Sequence, residues 1–99
     1  MAPVKGEPLD PGTAKALIRR LLELGAVRWS SHALDELKED ELTTVDAVNV
    51  LRGGQVIRPA ELKNGTWRYR VMTNRICVVV AFDSMEQVAV VTAWRISIP

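Results

Sequence analysis

The segment Trp67-Arg68-Tyr69-Arg70-Val71 alternates between apolar or aromatic residues and arginines. Successive side chains of a β-strand point to opposite faces, so this spacing puts Arg68 and Arg70 on one face and Trp67, Tyr69 and Val71 on the other. If the second face meets the core, the two arginines stand together on open surface. A guanidinium offers a fixed fork of donors and keeps its charge, which suits a phosphate or a charge-rich transition state. Arg75 beside a turn and Arg95 near the end of the last strand add to this set. The same alternation also suits a solvated strand face with edge-protecting charge.

His32 is the single imidazole of the chain. It lies at the start of a helix and could transfer a proton near neutral pH. A histidine there could equally do no more than bond a neighbouring carbonyl. Trp29, Trp67, Trp94 and Tyr69 offer ring faces on which bases could stack. Core filling is the competing use, with Trp94 set apart because it adjoins Arg95. Cys77 lies in an apolar strand and reads as an inert core thiol. The acidic run Glu36 to Glu41 reads as a solvated face. Gly53-Gly54 is a helix stop rather than a phosphate loop, since no strand precedes it and no helix follows. With one histidine and one cysteine, a tetrahedral metal site within the chain is not expected, and no cofactor is implied.

Three helices must position these groups. Asp10-Pro11 supplies an N-cap and a first-turn proline. Ala14, Leu17, Ile18, Leu21 and Leu22 follow at helical spacing, and Gly25 ends the run. Val27-Arg28-Trp29 is an edge strand or an extended link. Ser30 or Ser31 caps a second helix from about His32 to Glu39, with Ala33, Leu34 and Leu37 inward. Thr43 with Asp46 forms a weak capping box for a third, which turns Val45, Val48 and Leu51 inward. Then the pattern changes. Gln55–Leu62, Thr66–Thr73, Ile76–Phe82 and Gln87–Ile96 are β-rich, separated by turn material at Lys63-Asn64-Gly65, Thr73-Asn74 and Asp83-Ser84. The expected architecture is α+β, with the N-terminal helices packed on one face of an antiparallel sheet of about four strands. Residues 1–9 read as a loose tail and residues 10–99 as one domain.

Length and composition agree with that plan. The chain has 99 residues, 47% of them hydrophobic and 25% charged, which are ordinary values for one globular domain. The lone cysteine forms no internal disulfide, and the N-terminus has no apolar core, so the cytoplasm is the default compartment. The longest apolar run, Ile76 to Phe82, is far short of the ~20 residues of a membrane span. Charge is uneven: residues 1–54 carry seven Lys or Arg against nine Asp or Glu, and residues 55–99 six against three. The basic half permits an RNA-binding surface.

Ser31-His32-Ala33-Leu34, Leu42-Thr43-Thr44-Val45-Asp46-Ala47-Val48 and Leu51-Arg52-Gly53-Gly54 resemble the domain-of-unknown-function 4258 family. Trp67 to Val71 and Val91-Thr92-Ala93-Trp94-Arg95 match its arginine-rich strand and its last strand. That family in turn resembles the RelE, BrnT and MqsR group of toxins, which pack N-terminal helices on an antiparallel sheet. The resemblance implies a metal-independent endoribonuclease of a toxin–antitoxin system, neutralised by a cognate antitoxin protein. It implies catalytic roles for His32, Arg70 and Arg95, and RNA contacts from Arg68, Arg75, Tyr69 and Trp94. RNA and the antitoxin are the expected partners, no membrane is, and a homodimer is compatible. The chain departs from the family pattern at Glu36 and Asp40, where arginines are common, and at Glu41, the usual glycine. Carboxylates there would repel phosphates. A non-catalytic module binding protein through the open sheet or an edge strand is the alternative, while no motif supports a small-ligand binder.

Overall fold

The computed structural model describes residues 6–96. Residues 1–5 of the expected tail, and 97–99 of the expected domain, lie outside them. The elements run α1 (Pro11–Glu23), β1 (Val27–Trp29), α2 (Ser31–Glu39), α3 (Thr44–Gly53), β2 (Gln55–Lys63), β3 (Thr66–Met72), β4 (Ile76–Ser84) and β5 (Gln87–Arg95). One five-stranded sheet has the order β1-β5-β4-β3-β2. The expected α+β class holds. The fifth strand is β1, the edge-strand alternative for Val27-Arg28-Trp29, which pairs parallel with β5 and makes the sheet mixed.

Each helix starts on a side-chain cap that satisfies otherwise orphaned backbone donors. Asp10 accepts from the Thr13 amide, and Ser30 from the Ala33 amide, both at 3.0 Å. The Thr43–Asp46 capping box is complete in both directions. At the other end, α1 and α2 close alike. The Ala26 amide donates to Leu21 and that of Gly25 to Leu22; the Leu42 amide donates to Leu37 and that of Glu41 to Lys38. This closure needs a left-handed residue, which is Gly25 at φ 69° in α1. In α2 it is Glu41 at φ 58°. A glycine would hold this turn without strain, and here a glutamate side chain holds it.

The core lies between the helices and one sheet face. Ala14, Ile18 and Leu21 enter it from α1, and Ala33 and Leu37 from α2. Leu34 is left exposed, against expectation. From α3 the inward residues are Ala47, Val50 and Leu51, whereas Val45 is exposed and Val48 only half-buried. The apolar residues of α3 surround too much of the helix for spacing alone to choose its buried side. Tyr69, Val71, Val78, Val80, Phe82, Val88, Val90 and Ala93 complete the core from the sheet. Tyr69 and Phe82 meet at a centroid distance of 5.3 Å, tilted by 59°, an arrangement that aromatic quadrupoles favour.

From Gly6 onward the segment before α1 is hydrogen-bonded to β3. The Trp67 indole N–H donates to the Gly6 carbonyl at 3.1 Å, and the Leu9 amide to the Tyr69 hydroxyl at 3.0 Å.

Two stability measurements check this packing. Leu21→Ala should cost about 2–5 kcal/mol in urea denaturation, and a loss below about half a kcal/mol would place that stripe on the surface. Glu41→Gly should stabilise by about 1 kcal/mol, because the left-handed side-chain cost disappears while the turn stays. A destabilised Glu41→Gly variant would contradict the strained turn.

Candidate functional site

The sheet face opposite the helices carries the candidate site. Tyr69 and Val71 are buried in the core, so pleating turns Arg68 and Arg70 to the open face. The two arginines line a groove of about 240 Å³ with Glu61, Leu62, Lys63, Val79, Thr92 and Trp94. Arg70 Nη2 reaches the Arg58 carbonyl at 3.3 Å. Its Nη2 also lies 3.5 Å from the Pro59 carbonyl, and the Nε atoms of Arg68 and Arg70 are buried without a hydrogen-bond partner. Among the described residues, neither arginine forms an ion pair, although Glu61 lies opposite Arg68 in the β2–β3 register. Arg28 is a useful contrast. Its guanidinium is matched at 2.9 and 3.0 Å by the Asp83 carboxylate, whose hydrogen bonds hold it charged beyond the ordinary arginine range. Arg28 is thus engaged within the fold, while the charge of Arg68 and Arg70 faces the groove.

Thr92 and Trp94 reach this face because of a β-bulge. Val79 pairs with Thr92 and Val80 with Val90, which leaves Val91 extra. An extra residue shifts the alternation of everything beyond it. Val88 and Val90 face the core before the bulge, and Ala93 faces it after. Without the extra residue, Thr92 and Trp94 would follow Val90 inward. Trp94 is 38% exposed beside the arginines, open to stacking on a base.

Helix α2 takes over along β5 where β1 ends. The Ser30 amide donates to the Val90 carbonyl, and its hydroxyl donates to Val91 while accepting from Ala33. Further along, the Thr92 hydroxyl donates to the Glu36 carboxylate. Asp40 accepts from the Arg95 amide at 2.7 Å, and its carbonyl takes Arg95 Nη2 at 3.0 Å. The Glu36 and Asp40 carboxylates thus bind α2 to β5. His32 Nε2 lies 3.1 Å from Glu36 Oε1, one helical turn away. The imidazole is 71% exposed. His32 does not itself line the groove; it connects to it through Glu36 and Thr92, a groove residue.

Other expected site residues are placed elsewhere. Arg95 follows Trp94 and so points to the opposite face; it is tied to Asp40 and does not line the groove. Neighbouring strand positions cannot both serve one face, and this follows from pleating alone. Arg75 sits in the β3–β4 turn, outside the groove. Tyr69 is only 1% exposed, so the expectation that it stacks on RNA is corrected. Burial pushes its phenol above the ordinary range, opposed by the Leu9 N–H bond. Thr92 and Glu36 were missed. The four-residue spacing of His32 and Glu36 was a usable signal, but Thr92 depends on a bulge that no residue pattern announces.

A larger hollow, about 470 Å³, lies between residues 7–11 and β2. Its walls are mostly apolar, including Pro8, Pro11, Pro59 and Trp67, and its one cation, Arg58, acts on Asp10. It lacks the convergence of several cations without carboxylate partners that marks the open-face groove. No group of three or more His, Cys, Asp or Glu that could hold a metal occurs among the described residues. No described helix is long and apolar enough to cross a membrane.

Residues 29–95 match the family model described as Domain of unknown function (DUF4258). The chain belongs to this family. No curated protein and no solved structure matches it. The DUF4258 match takes in α2, α3 and nearly the whole sheet, and so every residue of the groove and His32. Helix α1, which packs behind β2, lies outside it.

Cys77 supplies a check on the open face. It shares that face with Arg70, yet it is fully buried, and burial pushes its thiol up to about 11. The thiolate is the reactive form, so iodoacetamide should leave the native chain unmodified at pH 8 and alkylate it in denaturant. Rapid native alkylation would mean that the floor of this face is open.

Proposed function

We propose that this DUF4258 protein is a toxin-like, metal-independent endoribonuclease that binds single-stranded RNA in the open-face groove. The observation that carries the reading is the pair of guanidinium groups, Arg68 and Arg70, without a carboxylate partner among the described residues and beside exposed Trp94 in one groove. Guanidinium forks suit phosphate oxygens, and an adjoining indole face suits an unstacked base. Lys63 adds a further cation. His32, joined to the groove through Glu36 and Thr92, is the proton-transfer group.

The reaction needs few parts. The 2′-hydroxyl loses its proton to water and its oxygen attacks the adjacent phosphorus. The bond to the 5′-oxygen breaks, and protonated His32 supplies the proton that this oxygen requires. The products are a 2′,3′-cyclic phosphate and a 5′-hydroxyl end. Arg68 and Arg70 stabilise the negative charge that gathers on the phosphoryl oxygens. A cognate antitoxin that covers the groove is the partner this reading calls for.

Purified protein with a single-stranded RNA oligonucleotide tests the proposal. Cleavage should persist in EDTA and fall at least ~10²-fold in His32→Ala, the lower end of general acid–base contributions. Replacing both Arg68 and Arg70 by Ala should weaken RNA binding and reduce the slope of log affinity against log salt by about 1.4, two phosphate contacts at ~0.7 each. Cleavage unaffected in His32→Ala, or an unchanged salt slope, would overturn the respective roles. A protein-binding module is the second reading. It is favoured by Leu62, 58% exposed, which flanks the same groove as Trp94 on edge strand β2. RNA binding absent at low salt would promote it.

A further inference from the structure

We infer that Glu36, held by the hydroxyl of Thr92, is a positioning residue that keeps a proton on His32 Nε2 and so makes Nδ1 the nitrogen that exchanges protons. The catalytic half of this inference rests on the ribonuclease reading above; the positioning half does not.

Glu36 Oε1 stands 3.1 Å from His32 Nε2. A neutral imidazole has one N–H and one lone pair, and either nitrogen can hold the proton. A lone pair on Nε2 would face a carboxylate oxygen and be repelled, whereas an N–H there is attracted. Glu36 therefore selects the Nε2–H form. On an exposed helix such a pair would ordinarily be loose, with two flexible side chains in water. Here the carboxylate is not free to swing, because Thr92 on β5 donates a hydrogen bond to the same Oε1. The glutamate is 30% exposed against 71% for the imidazole. The rigid partner is thus the carboxylate, fixed by the sheet, and the ring is oriented against it.

Glu36 is not itself the second acid or base. In an in-line displacement the attacking 2′-oxygen and the leaving 5′-oxygen lie on opposite sides of phosphorus. Two groups in contact at 3.1 Å leave no room for a phosphate between them. The arrangement suits one working imidazole and one carboxylate behind it, the orienting logic seen wherever a carboxylate backs a catalytic histidine. In the imidazolium both nitrogens carry protons. The Nε2 proton stays on the Glu36 side, and the Nδ1 proton passes to the 5′-oxygen as its bond to phosphorus breaks. The ring is left neutral, with its lone pair on Nδ1.

His32 is the only histidine, so its ring nitrogens give one unambiguous pair of ¹⁵N resonances. In the neutral ring these should report the Nε2–H form nearly alone. Glu36→Ala should admit the Nδ1–H form as a substantial fraction, and Thr92→Val should do so in part while Thr92→Ser restores the wild-type ratio. Glu36→Gln keeps the shape of the side chain and guards against a merely disturbed helix. A wild-type ring that already mixes the two forms, or a ratio indifferent to Glu36→Ala and Glu36→Gln alike, would overturn the inference. On an RNA oligonucleotide, Glu36→Gln should lower kcat on the order of tenfold, a part of the ~10²-fold owed to the imidazole, with KM within twofold. An equal kcat, or a loss confined to KM, contradicts the positioning role. Absence of cleavage by the wild type would sink the ribonuclease reading alone, since the resonances still decide whether Glu36 fixes the ring.

Discussion

The burial of Tyr69 is the constraint on which the open face depends. Its ring packs on Phe82, and its hydroxyl accepts the Leu9 amide. Both contacts lie on the helix side, so the parity of β3 is fixed, and with it the outward position of Arg68 and Arg70. A one-residue slip of β3 would exchange every side chain between faces. It would drive two guanidinium groups into a core that contains no buried polar or charged side chain among the described residues. Unpaired buried charge costs far more than the contacts of one strand can return. The register of the sheet and the chemistry of its outer face are thus one decision.

A second decision is made at β5. The extra residue at Val91 changes parity halfway along the strand, which sends Ala93 inward and Thr92 and Trp94 outward. The same irregular stretch presents carbonyls to Ser30, so the cap of α2 is also its anchor to the sheet. Glu36 and Asp40 extend that anchorage. Acidic residues that would oppose RNA on a bare helix are occupied here in docking the helix, and Glu36 links His32 to the groove residue Thr92. Fold and site share their hydrogen bonds along this junction.

The positions of Arg68 and Arg70 were legible because alternation in a strand has a period of two and one face must be apolar. The caps at Asp10, Ser30 and Thr43 were legible because few side chains can satisfy helix-terminal amides. The buried side of α3 was not, since Val45, Val48, Val50 and Leu51 are apolar around more than one face and only the neighbouring elements choose between them. For β1 the choice between an edge strand and an extended link stayed open, because three residues carry no period and the partner, β5, is about sixty positions away. Arg95 was misplaced beside Trp94 by reading adjacency in sequence as adjacency in space. Thr92 and the path to His32 depend on the bulge, which is a property of strand pairing and not of residue type.

The account stands or falls on whether RNA occupies the open face. The most direct measurement is an NMR titration of the ¹⁵N-labelled protein with a short single-stranded RNA at low salt, following the tryptophan indole and arginine Nε–H signals. Trp67 serves as the internal reference, since its indole N–H is bonded to the Gly6 carbonyl and it packs against the core. The predicted result is a shift of the Trp94, Arg68 and Arg70 signals while that of Trp67 stays in place. Shifts confined to Trp67, or to the helix side of the sheet, would contradict the account.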